Sequence, residues 1–143
     1  MTETRKIRIL IADDFKSLRE VIRLYLQRAA DMDVVGEALE LDDALEKALV
    51  LQPDVIIMND YLPPMNSAHA AEVFRARGSA AALLAISLSP DPELIRHSLH
   101  HGINGFMEKD EIDKFLVAAI RSVHRGERYL SPNVREIFNN IPE

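Results

Sequence analysis

The chain contains no cysteine. That excludes a disulfide framework, a cysteine-ligated zinc and a thiol nucleophile. Positive charge is in deficit: 17 Lys and Arg stand against 23 Asp and Glu, a net charge of −6. Nucleic-acid binding through a broad basic face is therefore not expected. No apolar run approaches the length of a membrane span, and Met1-Thr2-Glu3-Thr4-Arg5-Lys6 has no signal-peptide core. A soluble cytoplasmic protein is expected. Internal repeats and low-complexity stretches are also missing. What is present is 143 residues, enough for one domain with a real core.

The stretch Val55-Ile56-Ile57-Met58-Asn59-Asp60 organises the rest. Its apolar run has no polar alternation, which predicts a central parallel strand covered on both faces. It ends in two polar residues and then Pro63-Pro64. Open α/β sheets place their sites at such carboxyl ends.

The flanking chain alternates in period. Lys6–Ala12 reads as a strand running into Asp13-Asp14. Leu18, Val21, Ile22, Tyr25, Leu26 and Ala29 then recur at helical spacing. Val34–Ala38 is a second strand. Asp42 or Asp43 can cap a helix whose Leu45, Ala48 and Leu49 face inward, and Gln52-Pro53 ends it. After the organising strand, Asn66-Ser67 offers the N-cap of a third helix. Ala82–Ile86 is a fourth strand stopping at Ser87. A helix over Pro90–His101 ends at Gly102. Asn104–Met107 is a fifth strand, followed by Lys109. Asp110 and Asp113 resemble a capping box before a fifth helix. Residues 126–143 read as a tail with a short helix after Ser131-Pro132.

Five strands alternating with five helices predict an α/β doubly wound parallel sheet. A flavodoxin-like order of 2-1-3-4-5 follows, with strand five at the edge. In that order four strand ends bring Asp13, Asp14, Asn59, Asp60, Ser87 and Lys109 to one edge. Oxygen ligands there suit a hard cation such as Mg²⁺. A hydroxyl and a lysine suit the oxygens of a phosphoryl group. His97 and His101 stand four apart, beside His100, a spacing that can bind zinc. No fourth-residue Glu or nearby Cys supports it, and a solvated helix end is expected.

With Ile9–Asp14, Val34–Ala38, Pro53–Ile57, Leu62-Pro63 with Met65, Ile86-Ser87, Gly102–Asp110, Ala119–Gly126 and Tyr129–Pro132 in this order, the sequence resembles the response-regulator receiver (CheY-like) domain, of the NarL/LuxR kind. The resemblance covers roughly residues 5 to 132. It implies that Asp13 and Asp14 hold Mg²⁺, with Asn59 and the Tyr61 backbone carbonyl as further ligands. It implies a phosphoryl contact at Ser87, a pairing Lys109 and an aromatic rotamer switch at Phe106. It also implies a histidine kinase or another signalling protein as partner. A homodimer or partner contact is expected on the fourth and fifth helices, near Arg96, Asp110, Asp113, Lys114 and Arg121.

The sequence departs from the family where the phosphoryl group would be received. Counting back from Pro63 places the acceptor at residue 59, which is Asn. An amide lacks the carboxylate nucleophile that an acyl phosphate requires. Asp60 follows, on the other side of the strand by alternation. Asn66-Ser67 stands for the family's Asp-Gly, and Leu41 for a common Gly. The expectation is a degenerate, non-enzymatic receiver over residues 1–127, with 128–143 a tail lacking an output domain. It would act as an interaction module and bind Mg²⁺ weakly, without direct contact to nucleic acid or membrane. One rival is an active phosphoacceptor, through Asp60 or with Asn59 an engineered substitution. The other is a DNA-binding regulator truncated to its receiver.

Overall fold

The computed structural model describes residues 5–140. Residues 1–4 and 141–143, the ends of the expected domain and tail, lie outside the described residues. The chain opens with β1 (Ile7–Ala12), α1 (Lys16–Gln27), β2 (Met32–Ala38), α2 (Leu41–Leu51) and β3 (Val55–Asn59). A small antiparallel hairpin follows, β4 (Tyr61–Leu62) against β5 (Met65–Asn66), and leads into α3 (Ser67–Ala76). Then come β6 (Ala82–Ser87), α4 (Pro92–His100), β7 (Gly105–Glu108), α5 (Ile112–His124), β8 (Tyr129–Leu130) and α6 (Pro132–Asn139).

The main sheet is parallel in the order β2-β1-β3-β6-β7-β8. The five expected strands take their expected order, but the sheet has six strands, and β7 is not at the edge. Tyr129 donates its N–H to Asn104 O and Ser131 donates to Phe106 O, so β8 satisfies the backbone groups that β7 would otherwise expose. The segment expected as a tail therefore extends the sheet. Its helix α6 buries Val134 completely in the shared core.

Strand alternation divides the core in two. Leu10, Met58, Ala85 and Phe106 face the α2–α3–α4 layer and α6. Ile9, Ile11, Ile57, Ile86 and Met107 face α1 and α5, against Leu18, Ile22, Leu116 and Ile120. Side chains of this size contribute about 1.5–3 kcal/mol each when fully buried.

Several local expectations need correction. Leu49 points outward and is 70% exposed, because Leu41, Ala44, Leu45 and Ala48 form the inward stripe of α2. Asp42 and Asp43 lie within the first turn of α2 rather than at its cap, which is Glu40. Asp110 and Asp113 form no capping box. A 3₁₀ turn over Lys109–Glu111 precedes α5, and Glu111 instead accepts from the backbone of Asn133, tying α6 to the domain. Arg121 makes a two-point contact with Asp31 at 2.9 Å while its side chain stays 46% exposed. Two other expectations hold: Asn66 caps α3 by accepting from His69 N–H, and Gly102 takes a positive φ of 105° after α4.

Candidate functional site

The carboxyl ends of β1, β3, β6 and β7 carry the polar residues named above. Asp13 follows β1 and is 2% exposed. Three bonds hold it. Its N–H donates to Ala38 O, its Oδ1 accepts from Phe15 N–H at 2.7 Å, and its carbonyl accepts from Arg19. Burial pushes its carboxyl up to about 6, and the neighbouring Asp14 and Asp60 charges push the same way. The Phe15 N–H and Arg19 oppose this without cancelling it. Asp14, by contrast, is exposed.

Asn59 ends β3 and is 8% exposed. It lines a cavity of about 100 Å³ with Phe15, Ser17, Leu18, Ile86, Leu88 and Lys109. The structure thus brings Asn59 and Lys109 to one cavity, with an apolar rim from Phe15 and Leu88. Its polar walls are an amide, a hydroxyl and an ammonium, with no carboxylate among them.

Asn59 pairs in register with Ile86, so the next residues, Asp60 and Ser87, fall together on the other side of their strands. There Ser87 donates its hydroxyl to Asp60 Oδ2 at 2.7 Å. Asp60 N–H donates to Ile86 O, and Asp60 O accepts from Ser67 N–H. Ser87 is fully buried, with its hydroxyl held by Asp60, one of the residues expected beside it. Asp60 directly follows β3 and acts on Asp13 electrostatically. This pairing was legible in principle. Register places 60 beside 87 once 59 is set beside 86.

Phe106 is fully buried in the α2–α3–α4 layer of the core. Tyr61 is 53% exposed in the hairpin after Asp60. The oxygen donors of Asp13, Asp14, Asn59 and the Tyr61 carbonyl are of the hard kind that Mg²⁺ prefers. A cation would also relieve the crowding of charge around the Asp13 carboxylate. The residues present therefore fit the ion chemically. Among the described residues no three His, Cys, Asp or Glu side chains form a ready cluster for a metal. The chain offers two carboxylates, and Mg²⁺ usually takes one or two with water completing its shell.

Residues 9–121 match the response regulator receiver domain family. The chain is 32% identical over 140 residues to the oxygen regulatory protein NreC of Staphylococcus carnosus, covering 94% of this chain. It spans 64% of that relative's length. Among solved structures it is similar to a LuxR-family two-component response regulator from Aurantimonas sp., with a TM-score of 0.88 at 25% identity, covering 94% of this chain and 96% of that one. It is also similar to the signal receiver domain of the response regulator NarL from Mycobacterium tuberculosis, with a TM-score of 0.82 at 29% identity, covering 87% of this chain and all of that one. The motifs, the sheet order and these likenesses agree: the chain belongs to the response regulator receiver domain family of two-component signalling, in its NarL/LuxR kind.

Proposed function

We propose that this receiver works as an interaction module whose state does not depend on its own phosphorylation. One observation carries the reading. The residue that shares a cavity with Lys109 is an amide, Asn59. Forming an acyl phosphate requires a carboxylate oxygen to attack phosphorus while the donor's leaving group departs, and the Asn59 amide has no such oxygen. The following carboxylate, Asp60, accepts from the Ser87 hydroxyl. Lys109 remains to pair with an anion at the cavity, while the Ser87 hydroxyl is engaged by Asp60.

Mg²⁺ would be held by Asp13 and Asp14, with the Asn59 amide oxygen and the Tyr61 carbonyl as neutral donors. One carboxylate fewer makes that binding weak. When bound, the ion would supply positive charge against the Asp13 carboxylate. A histidine kinase or another signalling protein is the proposed partner, with a homodimer as the alternative assembly. Such a partner meets β8 and α6 at the β7 edge, because this chain's own C-terminal segment sits there.

The test is the amide spectrum of the isotope-labelled chain in Mg²⁺, before and after adding acetyl phosphate. Unchanged resonances at the strand ends support the reading. New resonances for Ser87, Lys109 and Phe106 that grow with acetyl phosphate would overturn it.

A further inference from the structure

Four of the chain's five histidines gather where α3 meets α4. The His97 and His101 rings lie 4.1 Å apart by their centroids, His69 and His97 6.1 Å, and His100 and His101 5.5 Å. The two helices run side by side here, so His69 and Glu72 on α3 face His97 and His101 on the α4 side. The buried Ser67–Ser98 hydroxyl pair, 2.8 Å apart, fixes the same two helices beneath them.

His101 has an unusual pair of neighbours. Its Nδ1 lies 2.7 Å from the carbonyl oxygen of His97. Its Nε2 lies 3.1 Å from Glu72 Oε1. Both ring nitrogens thus face oxygen acceptors, and a neutral imidazole carries only one N–H. If Nδ1 donates to the His97 carbonyl, Nε2 presents a lone pair to the Glu72 carboxylate. A second ring proton, or a metal cation between Nε2 and Oε1, satisfies both contacts. The 3.1 Å separation suits two ligands at about 2.0–2.2 Å from one metal ion. The Nδ1–H bond to a backbone carbonyl is the outer-shell contact that fixes the tautomer of a metal-bound histidine.

We propose that Glu72, His97 and His101 bind a divalent transition metal of the Zn²⁺ class and clamp α3 to α4. Imidazole and carboxylate ligands suit such ions better than they suit Mg²⁺. Two ligand atoms, His101 Nε2 and Glu72 Oε1, already stand at the required separation. The third would be His97, one helical turn before His101, whose exposed ring must turn toward them, since no three such side chains stand ready among the described residues. His69 stands next to it as a further donor. The site is separate from the strand ends, so it stands or falls independently of residue 59.

The experiment uses the full chain without a histidine tag, stripped with EDTA and held in excess Mg²⁺ so that the Asp13–Asp14 region is occupied. Zn²⁺ is titrated by calorimetry, with histidine ring resonances followed in parallel. The expected result is saturable one-to-one binding with ring shifts at His97 and His101 and none at His124. Affinity should fall by about tenfold or more in His101→Ala and in Glu72→Gln. Zn²⁺ should also raise the thermal midpoint of the parent chain, through its preference for the folded state, and not that of His97→Ala/His101→Ala. Absence of saturable binding overturns the proposal. So does equal affinity in His97→Ala/His101→Ala, which would place the metal elsewhere. A Glu72–His101 contact that responds to pH but not to Zn²⁺ would assign the cation as a proton and overturn it equally.

Discussion

Asp13→Asn tests the electrostatics of the strand ends. In the fold this carboxyl is pushed from 3.8 up to about 6, first by burial and then by Asp14 and Asp60. A gap of roughly two pH units corresponds to about 3 kcal/mol. The sign follows from the direction. The folded state favours the protonated acid, so this stabilisation is fully present below pH 3.8 and is lost as the pH rises through about 6. Above that the charged carboxylate burdens the fold. Asparagine removes the charge and keeps an Oδ1 to accept from Phe15 N–H. Its new amide N–H group needs an acceptor in a buried place, which costs about 1 kcal/mol. Arg19 keeps its bonds to the Asp13 carbonyl and to Glu37, so no cation is stranded. The net expectation is a gain of about 2 kcal/mol near pH 7.5, shrinking to zero or below near pH 4. Urea unfolding of both proteins in EDTA, at both pH values, measures it. The metal-free condition matters because a bound cation would neutralise the same charge. Equal or lower stability of Asp13→Asn near pH 7.5 would refute the reasoning. A gain of the same size near pH 4 would refute it too.

The Ser87–Asp60 bond should couple its two partners by about 1.5–3 kcal/mol, since the acceptor is charged and the donor buried. A double-mutant cycle with Ser87→Ala and Asp60→Ala measures this, and strictly additive losses would show that the bond contributes nothing. Val134→Asp places an unpaired charge in the core under α6, so amide exchange should accelerate in β8 and α6 while β1, β3 and β6 stay protected. Uniform acceleration across all strands would show instead that α6 and the sheet unfold as one unit. Asn59→Asp should tighten Mg²⁺ binding by supplying a third carboxylate, and calorimetric titration of the two proteins compares them. Equal affinities would remove residue 59 from the ligand set.

The largely apolar runs of β1, β3 and β6 made the sheet legible in the sequence, because strands buried on both faces leave such runs. The order of these strands followed from the crossovers. Tyr129-Leu130 was not legible as a strand. Two residues carry no periodicity, and only the vacant edge of β7 calls for them. Leu49 misled for a related reason: at the end of a helix an apolar residue beside the inward stripe looks much like one within it. Asp13, Asn59 and Lys109 could be placed from strand ends alone. The Asp60–Ser87 contact needed the register between β3 and β6, which the sequence leaves open by one residue. The histidine cluster needed the pairing of α3 with α4, so Glu72 stayed invisible as a partner of His101.

Residue 59 decides whether this pocket forms an acyl phosphate, and intact mass after incubation with Mg²⁺ and acetyl phosphate reads that directly. Three proteins are compared: the chain as it stands, Asn59→Asp, and Asp60→Ala. The expected result is no phosphoryl adduct on the first and third, and one adduct on Asn59→Asp, where a carboxylate is restored beside Lys109. A phosphoryl mass increase on the unaltered chain that disappears in Asp60→Ala would contradict the account and make Asp60 the acceptor.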